Sequence, residues 1–205
     1  MRVLVPFDAR EPNTRLAPLF DTDQRRDLAG VLLTDVLAAI REAGHEPAIL
    51  STEPLERDCP VLVDDRSLTE AVNARLVDAE LPLAVVMADL ALVTPRSVGR
   101  LLDAEADVVL APGLGGGTNA IRVEHPEFRV DYHDGSYRKH RRAARECGAK
   151  CHTLDSFRLA VDVDEPADLA EVLLHGRGES ADWLREAGVE LSTADGRCSV
   201  VGPDE

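Results

Sequence analysis

Three carboxylates stand where a buried strand would hand them to a ligand. Asp89 ends the unbroken apolar run Leu83-Ala84-Val85-Val86-Met87-Ala88, and an ionisable group there is costly unless something pairs with it. Asp162 and Asp164 form an Asp-x-Asp pair within Val161-Asp162-Val163-Asp164-Glu165-Pro166. In an extended chain that spacing turns both side chains to one side. Acidic oxygens gathered without a compensating Lys suit a hard divalent cation such as Mg2+, above all one shared with phosphate. Asp164 also precedes a Pro-containing first helical turn, so it fits a helix N-cap equally well.

Around the carboxylates lie groups suited to phosphate. Gly113-Leu114-Gly115-Gly116-Gly117 leads into Thr118-Asn119. Glycines let backbone N–H groups approach a phosphate closely, and Thr118 adds a hydroxyl donor. The turn lacks the Gly-Lys-Ser/Thr ending of a P-loop and precedes a strand, unlike a dinucleotide fingerprint. A flexible connection is the plainer alternative. The loop from Pro6 to Leu19 carries Arg10 and Arg15, whose guanidinium groups can hold phosphate oxygens bidentately. Asp134-Gly135-Ser136-Tyr137-Arg138-Lys139-His140 reads as a turn entering a helix, with Ser136 able to cap it and the helix N-terminus favouring an anion. His140 is either a ligand group or a partly buried polar residue. No Ser/His/Asp or Cys/His pattern of nucleophilic catalysis stands out.

Positioning these groups requires a sheet. Arg2 to Phe7 reads as a first core strand rather than a signal peptide. From Asp23 to Ala43 apolar residues recur at helical spacing, and Gly44 supplies a stop. Ala48–Leu50 and Val61–Val63 read as short strands. Ser67-Leu68-Thr69-Glu70 is a capping box that opens a helix to about Glu80. The run at Leu83–Ala88 has the pattern of a strand buried on both faces. Helices are predicted over Pro95–Leu102, Ser136–Cys147 and Pro166–Leu174, and strands over Asp107–Pro112, Thr118–Val123, Lys150–Leu154 and Leu159–Val163. This alternation predicts an α/β fold with a mostly parallel sheet covered on both faces. Ligands then bind beyond the carboxyl ends of the strands. Residues 1–205 read as one domain, with 179–205 as a small C-terminal appendage. Trp183 and Leu184 there could pack on the chain's own sheet or on a neighbour's, and a homodimer is the preferred reading.

Composition narrows the partners. Of 205 residues, 44% are hydrophobic and 30% charged, as in ordinary globular domains. Asp and Glu number 38 against 23 Lys and Arg, for a net charge of -15. Lys139 and Lys150 are the only lysines. Such a surface repels nucleic acid and resembles the acidic, hydrated surfaces of halophilic proteins. No apolar run is long enough for a membrane helix, so the expected setting is cytoplasmic. Cys147 and Cys151, with His152 beside them, read as a helix end and a strand start rather than a zinc site.

Thr14-Arg15-Leu16-Ala17-Pro18, Val86-Met87-Ala88-Asp89-Leu90, Gly115-Gly116-Gly117-Thr118-Asn119-Ala120 and Asp162-Val163-Asp164-Glu165-Pro166-Ala167-Asp168-Leu169 follow one another in that order. Together they resemble the archaeal 2-phospho-L-lactate guanylyltransferase family of coenzyme F420 biosynthesis, from about Val3 to Gly178. The resemblance implies a Rossmann-like, three-layer nucleotidyltransferase fold of glycosyltransferase-A type. It implies a reaction that joins GTP to 2-phospho-L-lactate, giving lactyl-2-diphospho-5′-guanosine and pyrophosphate. It places Mg2+ on Asp89, Asp162 and Asp164, and the acceptor phosphate near Thr118 and Ser136. Relatives often carry a Lys shortly before the Thr-Arg-Leu element, where this chain has Asn13. Arg15 or Arg10 is then expected to neutralise the nucleotide.

On this reading Asp89 and Arg15 are catalytic, and Pro6, Arg10, Arg15, Glu70, Asn73, Gly117, Thr118 and Ser136 bind substrates. Glu70 and Asn73 are the candidates for the nucleoside. The alternatives are phosphoenolpyruvate as acceptor, a sugar-phosphate or molybdopterin-type nucleotidyltransferase, and a non-catalytic nucleotide-binding regulator.

Overall fold

The computed structural model describes residues 1–78, 80–193, 196 and 198–202. Strand β1 (Arg2–Phe7) leads through a 3₁₀ turn at Thr14–Leu16 into helix α1 (Thr22–Glu42). Asp21 and Gln24 close a reciprocal capping box at the start of α1, which satisfies two orphan amides at once. Strands β2 (Glu46–Ser51) and β3 (Val61–Val63) precede helix α2 (Leu68–Asp78), and β4 (Leu83–Val86) precedes α3 (Pro95–Leu102). Next come β5 (Val108–Pro112), β6 (Thr118–Val123), α4 (Ser136–Glu146), β7 (Cys151–Thr153) and the short α5 (Phe157–Ala160). The chain closes with α6 (Asp168–His175), α7 (Glu179–Glu186), and the hairpin strands β8 (Glu190–Ser192) and β9 (Ser199–Val201).

Seven strands form the main sheet in the order β3-β2-β1-β4-β6-β5-β7. β6 pairs antiparallel with both β4 and β5, while every other pairing in this sheet is parallel. Side chains alternate across the sheet. Val3, Val5, Ala84 and Val86 pack with Leu33, Ile40, Val98 and Leu101 on one face. Leu4, Val85, Leu110 and Ile121 pack with Val72, Leu76, Phe128 and Ala144 on the other. The result is the expected α/β/α arrangement, its central strands buried on both faces.

The antiparallel strand matters most for function. A parallel strand would present its carboxyl end at the ligand edge, whereas β6 presents its amino end. Val86 pairs with Ala120, and the Met87 amide donates to the Asn119 carbonyl at 2.9 Å. The glycine-rich turn, Thr118 and Asn119 therefore lie beside the residues that lead to Asp89.

One expectation needs correction. Leu159–Val163 is not a strand. Phe157–Ala160 is a short helix with Leu159 buried, and residues 161–164 follow in an irregular stretch. That stretch meets the sheet edge through isolated bonds, Leu114 N–H to Ala160 and Val163 N–H to the Asp89 carbonyl, instead of a ladder. Val161 and Val163 are buried while Asp162 and Asp164 are not, so the two aspartates still share a side.

The described residues after Gly178 pack on the chain itself. Ala181, Leu184 and Val189 join Leu16, Leu28, Leu32 and Leu169 in a third apolar cluster, and Phe20 meets Trp183 edge-on. Asp35 of α1 caps α7 from outside, accepting from the Glu179 amide (2.8 Å), the Ser180 amide (3.0 Å) and the Ser180 hydroxyl (2.6 Å). A Cβ on Gly178 would run into that carboxylate. Asp35→Ala should therefore lower stability by about 1–2 kcal/mol, read from urea unfolding, and Gly178→Ala should be at least as damaging.

Candidate active site

Asp89 follows β4 and opens in part onto the cavity, yet its Oδ1 is enclosed and has no hydrogen-bond partner. Burial first, and the neighbouring Asp162 and Asp164 second, push its carboxyl from 3.8 up to about 7. Asp162 is also raised, chiefly by burial, while a hydrogen bond from Asn119 pulls it down. Asn119 Nδ2 donates to Asp162 Oδ1 (3.2 Å) and lies 3.3 Å from the Ala160 carbonyl. Its amide sits so close beneath the glycine-rich turn that a Cβ on Gly113 would come within 2.5 Å of Asn119 Oδ1. Sequence reasoning quoted Asn119 only as part of a motif. Its work is to orient a carboxylate, which no local pattern reveals.

Asp164 stands apart from this pair. It does not cap α6, since Asp168 folds back to accept from the Asp164 and Glu165 amides (3.0 and 2.7 Å). Its Oδ2 accepts from Arg15 at 3.1 Å, with Glu165 3.9 Å from the same guanidinium. Arg15 is thus tethered at the carboxylate cluster, its turn anchored by the fully buried Leu16. Arg10 is exposed and lies 3.4 Å from Glu53.

Among the described residues no three His, Cys, Asp or Glu side chains converge as a ready metal cage. Asp89 and Asp162, with Asp164 held by Arg15 beside them, are the hard oxygen donors at this edge. The set still fits Mg2+, which is usually held by one or two carboxylates together with substrate phosphates and water.

The glycine-rich turn is fixed by its own bonds. Gly113 N–H donates to the Gly117 carbonyl and Gly116 N–H to that of Gly113, while the Gly116 carbonyl accepts from Tyr137 N–H at the start of α4. The Gly115 and Gly117 amides have no acceptor among the described residues, a disposition suited to an anion. Thr118 is buried, and its Oγ1 lies 2.9 Å from Nδ1 of the fully buried His140. The Asp131 amide points at His140 Nε2 (2.9 Å), so Nε2 must accept and the hydrogen of the neutral ring sits on Nδ1. Burial holds the ring's pKa down to about 4, which keeps it neutral. His140 therefore donates to Thr118 and leaves the hydroxyl hydrogen of Thr118 for another acceptor. Ser136 is buried at the first position of α4 but does not cap it. The cap position belongs to Gly135 in a left-handed conformation at φ 69.

A cavity of about 450 Å³ lies across the carboxyl ends of β1, β2, β3 and β4, lined by Pro6, Asp8, Asn13, Asp64, Arg66 and Asp89 among others. Glu70 and Asn73 are not part of it. Glu70 accepts from the Ser67 amide and hydroxyl (3.2 and 2.7 Å) as the capping partner of α2. Asn73 exchanges two hydrogen bonds of 2.9 Å with the Val130 backbone. The cavity instead takes up Asp64 and Arg66, which follow β3. The rule that ligands bind just after strands applies to them as it does to Asp89.

Acidic oxygens set beside a glycine-rich turn at this edge of such a sheet mark the class as a nucleotidyltransferase. Solved structures agree on the fold. A proposed nucleotide-diphospho-sugar transferase from Desulfovibrio desulfuricans G20 superposes with a TM-score of 0.76 at 17% identity, covering 91% of this chain and 94% of its own. The 2-C-methyl-D-erythritol 4-phosphate cytidylyltransferase of Thermus thermophilus superposes at 0.52 and 16% identity, covering 84% and 95%. The chain belongs to the CofC-like guanylyl transferase family, whose model matches residues 1–201. It is 60% identical to a 2-phospho-L-lactate guanylyltransferase of Halomicrobium mukohataei, over 99% of this chain and all of that one. A protein of the same name from Natronomonas pharaonis is 58% identical, over 98% of each.

The raised Asp89 carboxyl sets a pH dependence. Because the folded chain holds this proton more tightly than the unfolded chain, the group's contribution to stability is full below about pH 4 and is lost as pH rises through about 7. In metal-free protein, Asp89→Asn should raise the midpoint of thermal unfolding by about 5 °C at about pH 8, a gain that fades towards pH 4. A gain independent of pH would contradict the assignment.

Proposed function

We propose that this protein transfers the guanylyl group of GTP to the phosphate of 2-phospho-L-lactate, giving lactyl-2-diphospho-5′-guanosine and pyrophosphate, as a step of coenzyme F420 biosynthesis. The observation that carries this reading is the meeting of Asp89 and Asp162 with the donors of the Gly113–Thr118 turn at one edge of the sheet. The names of its full-length relatives support the substrates.

The chemistry asks little covalent help of the protein. An acceptor phosphate oxygen is already anionic at neutral pH, so no general base is needed. It bonds to the α-phosphorus as the bond to the bridging α–β oxygen breaks, and pyrophosphate leaves with that electron pair. The chain's task is to align two anions and offset their repulsion. Arg15, held at Asp164, faces the leaving phosphates, with Arg10 further along the same loop. The free amides of Gly115 and Gly117 and the hydroxyl of Thr118 grip the acceptor phosphate. Asp89 and Asp162 would hold Mg2+, which supplies charge neutralisation at the reacting phosphates.

Pyrophosphate release at high KCl with Mg2+, with each of four nucleotides offered against 2-phospho-L-lactate and phosphoenolpyruvate, tests the reading. Release with GTP and 2-phospho-L-lactate is expected, whereas release with phosphoenolpyruvate alone would move the acceptor. Asp89→Asn should cost about a thousandfold or more in turnover while the protein stays folded. Thr118→Val should raise the acceptor KM about tenfold and leave that of GTP nearly unchanged. Equal rises in both would count against the acceptor role.

A further inference from the structure

The cavity has a second polar pole, opposite Asp89. In the sheet order β3-β2-β1-β4, Asp64 follows β3 and Asp89 follows β4, three strand spacings or roughly 14 Å apart. That span accommodates a nucleoside between its phosphate and the far edge of its base. The Asp64 side chain is only 6% exposed. Arg66 grips it side-on, with Nε 2.8 Å from Oδ1 and Nη2 2.6 Å from Oδ2. The Arg66 amide (3.3 Å) and Arg75 (3.4 Å) add further donors. These bonds hold the Asp64 carboxyl down at about 2, so it stays ionised. Leu50, Leu68 and Ala71 supply apolar lining next to this pole.

A guanidinium held through Nε and one face of Nη2 keeps its Nη1/Nη2 fork free. That fork matches two acceptors side by side, the pattern of O6 and N7 on guanine. Adenine presents an amino donor in place of O6 and would meet donor with donor, while pyrimidines have no N7. We propose that Arg66 selects the nucleotide by donating to the O6 and N7 edge of guanine, with Asp64 as the residue that positions it. The assignment rests on the GTP reading above and names its base-reading group.

The test compares GTP, ITP, 7-deaza-GTP and ATP by pyrophosphate release in the wild-type enzyme and in Arg66→Ala and Arg66→Lys. ITP keeps O6 and N7 and should remain close to GTP, whereas 7-deaza-GTP should lose about tenfold or more in kcat/KM. Arg66→Ala should shrink the GTP-to-ATP preference about 10- to 100-fold, and 7-deaza-GTP should lose nothing further in it. Arg66→Lys, with no fork, should recover only part of the preference. A variant that keeps the wild-type preference overturns the proposal, as does a wild-type enzyme that uses 7-deaza-GTP as well as GTP. The analogue series needs no variant, so it decides the matter even if Arg66→Ala fails to fold. A wild-type enzyme indifferent to the base would overturn the GTP reading itself, before any variant is made.

Discussion

Two carboxylates that repel one another hold the key to this molecule. Asp89 and Asp162 are brought together in a partly dehydrated pocket where burial raises the proton affinity of both and the charge of Asp162 raises that of Asp89 further. Left alone, like charges at low dielectric cost several kcal/mol. The surroundings are arranged to tolerate them. Asn119 donates to one, Arg15 draws Asp164 aside, and the Asp89 carbonyl is fastened to the Val163 amide. The extensive apolar packing on both faces of the sheet supplies the stability that this arrangement subtracts, a familiar exchange at functional sites.

Reversing one strand makes the arrangement possible. With β6 antiparallel between β4 and β5, the amino end of a strand joins the carboxyl ends of its neighbours. Backbone amides of the glycine-rich turn then face the same edge as the acidic residues. Backbone N–H donors and carboxylate oxygens are thereby set side by side. His140, from α4, completes the set by fixing which way the Thr118 hydroxyl can donate.

Much of this was legible in the residues, because local rules govern it. Apolar runs fixed β4 and β5, the helix over Pro95–Leu102 has the bounds its residues predict, and Asp89 stood out as an ionisable group closing a buried run. Where the reading failed, long-range contacts decided the outcome. Alternating Val and Asp around residue 162 suits a strand, but among the described residues the stretch is held by isolated bonds to Leu114 and Asp89 instead of a ladder. Ser136 sits where a cap is common, yet the turn needs Gly135 in a left-handed conformation. Asn73 pairs with the Val130 backbone 57 positions away, a contact that no local pattern reveals. Asp64 and Arg66 follow β3, whose bounds the residues predict, but Asp64-Asp65-Arg66 has the pattern of an ordinary charged turn and nothing local marks the pair.

The contact between Arg15 and Asp164 closes a loop of 149 positions, and that between Asp35 and Glu179 one of 144. Contacts of such separation form late, because the chain entropy lost in closing them is recovered only when both ends are present. During synthesis the strands β1 to β4 emerge long before residues 162–164, so Asp89 waits in a half-built sheet without its acidic neighbours. The repulsion among the aspartates is thus deferred until the rest of the structure can bear it, and a ribosome-bound chain lacking its last quarter carries only the burial part of that load.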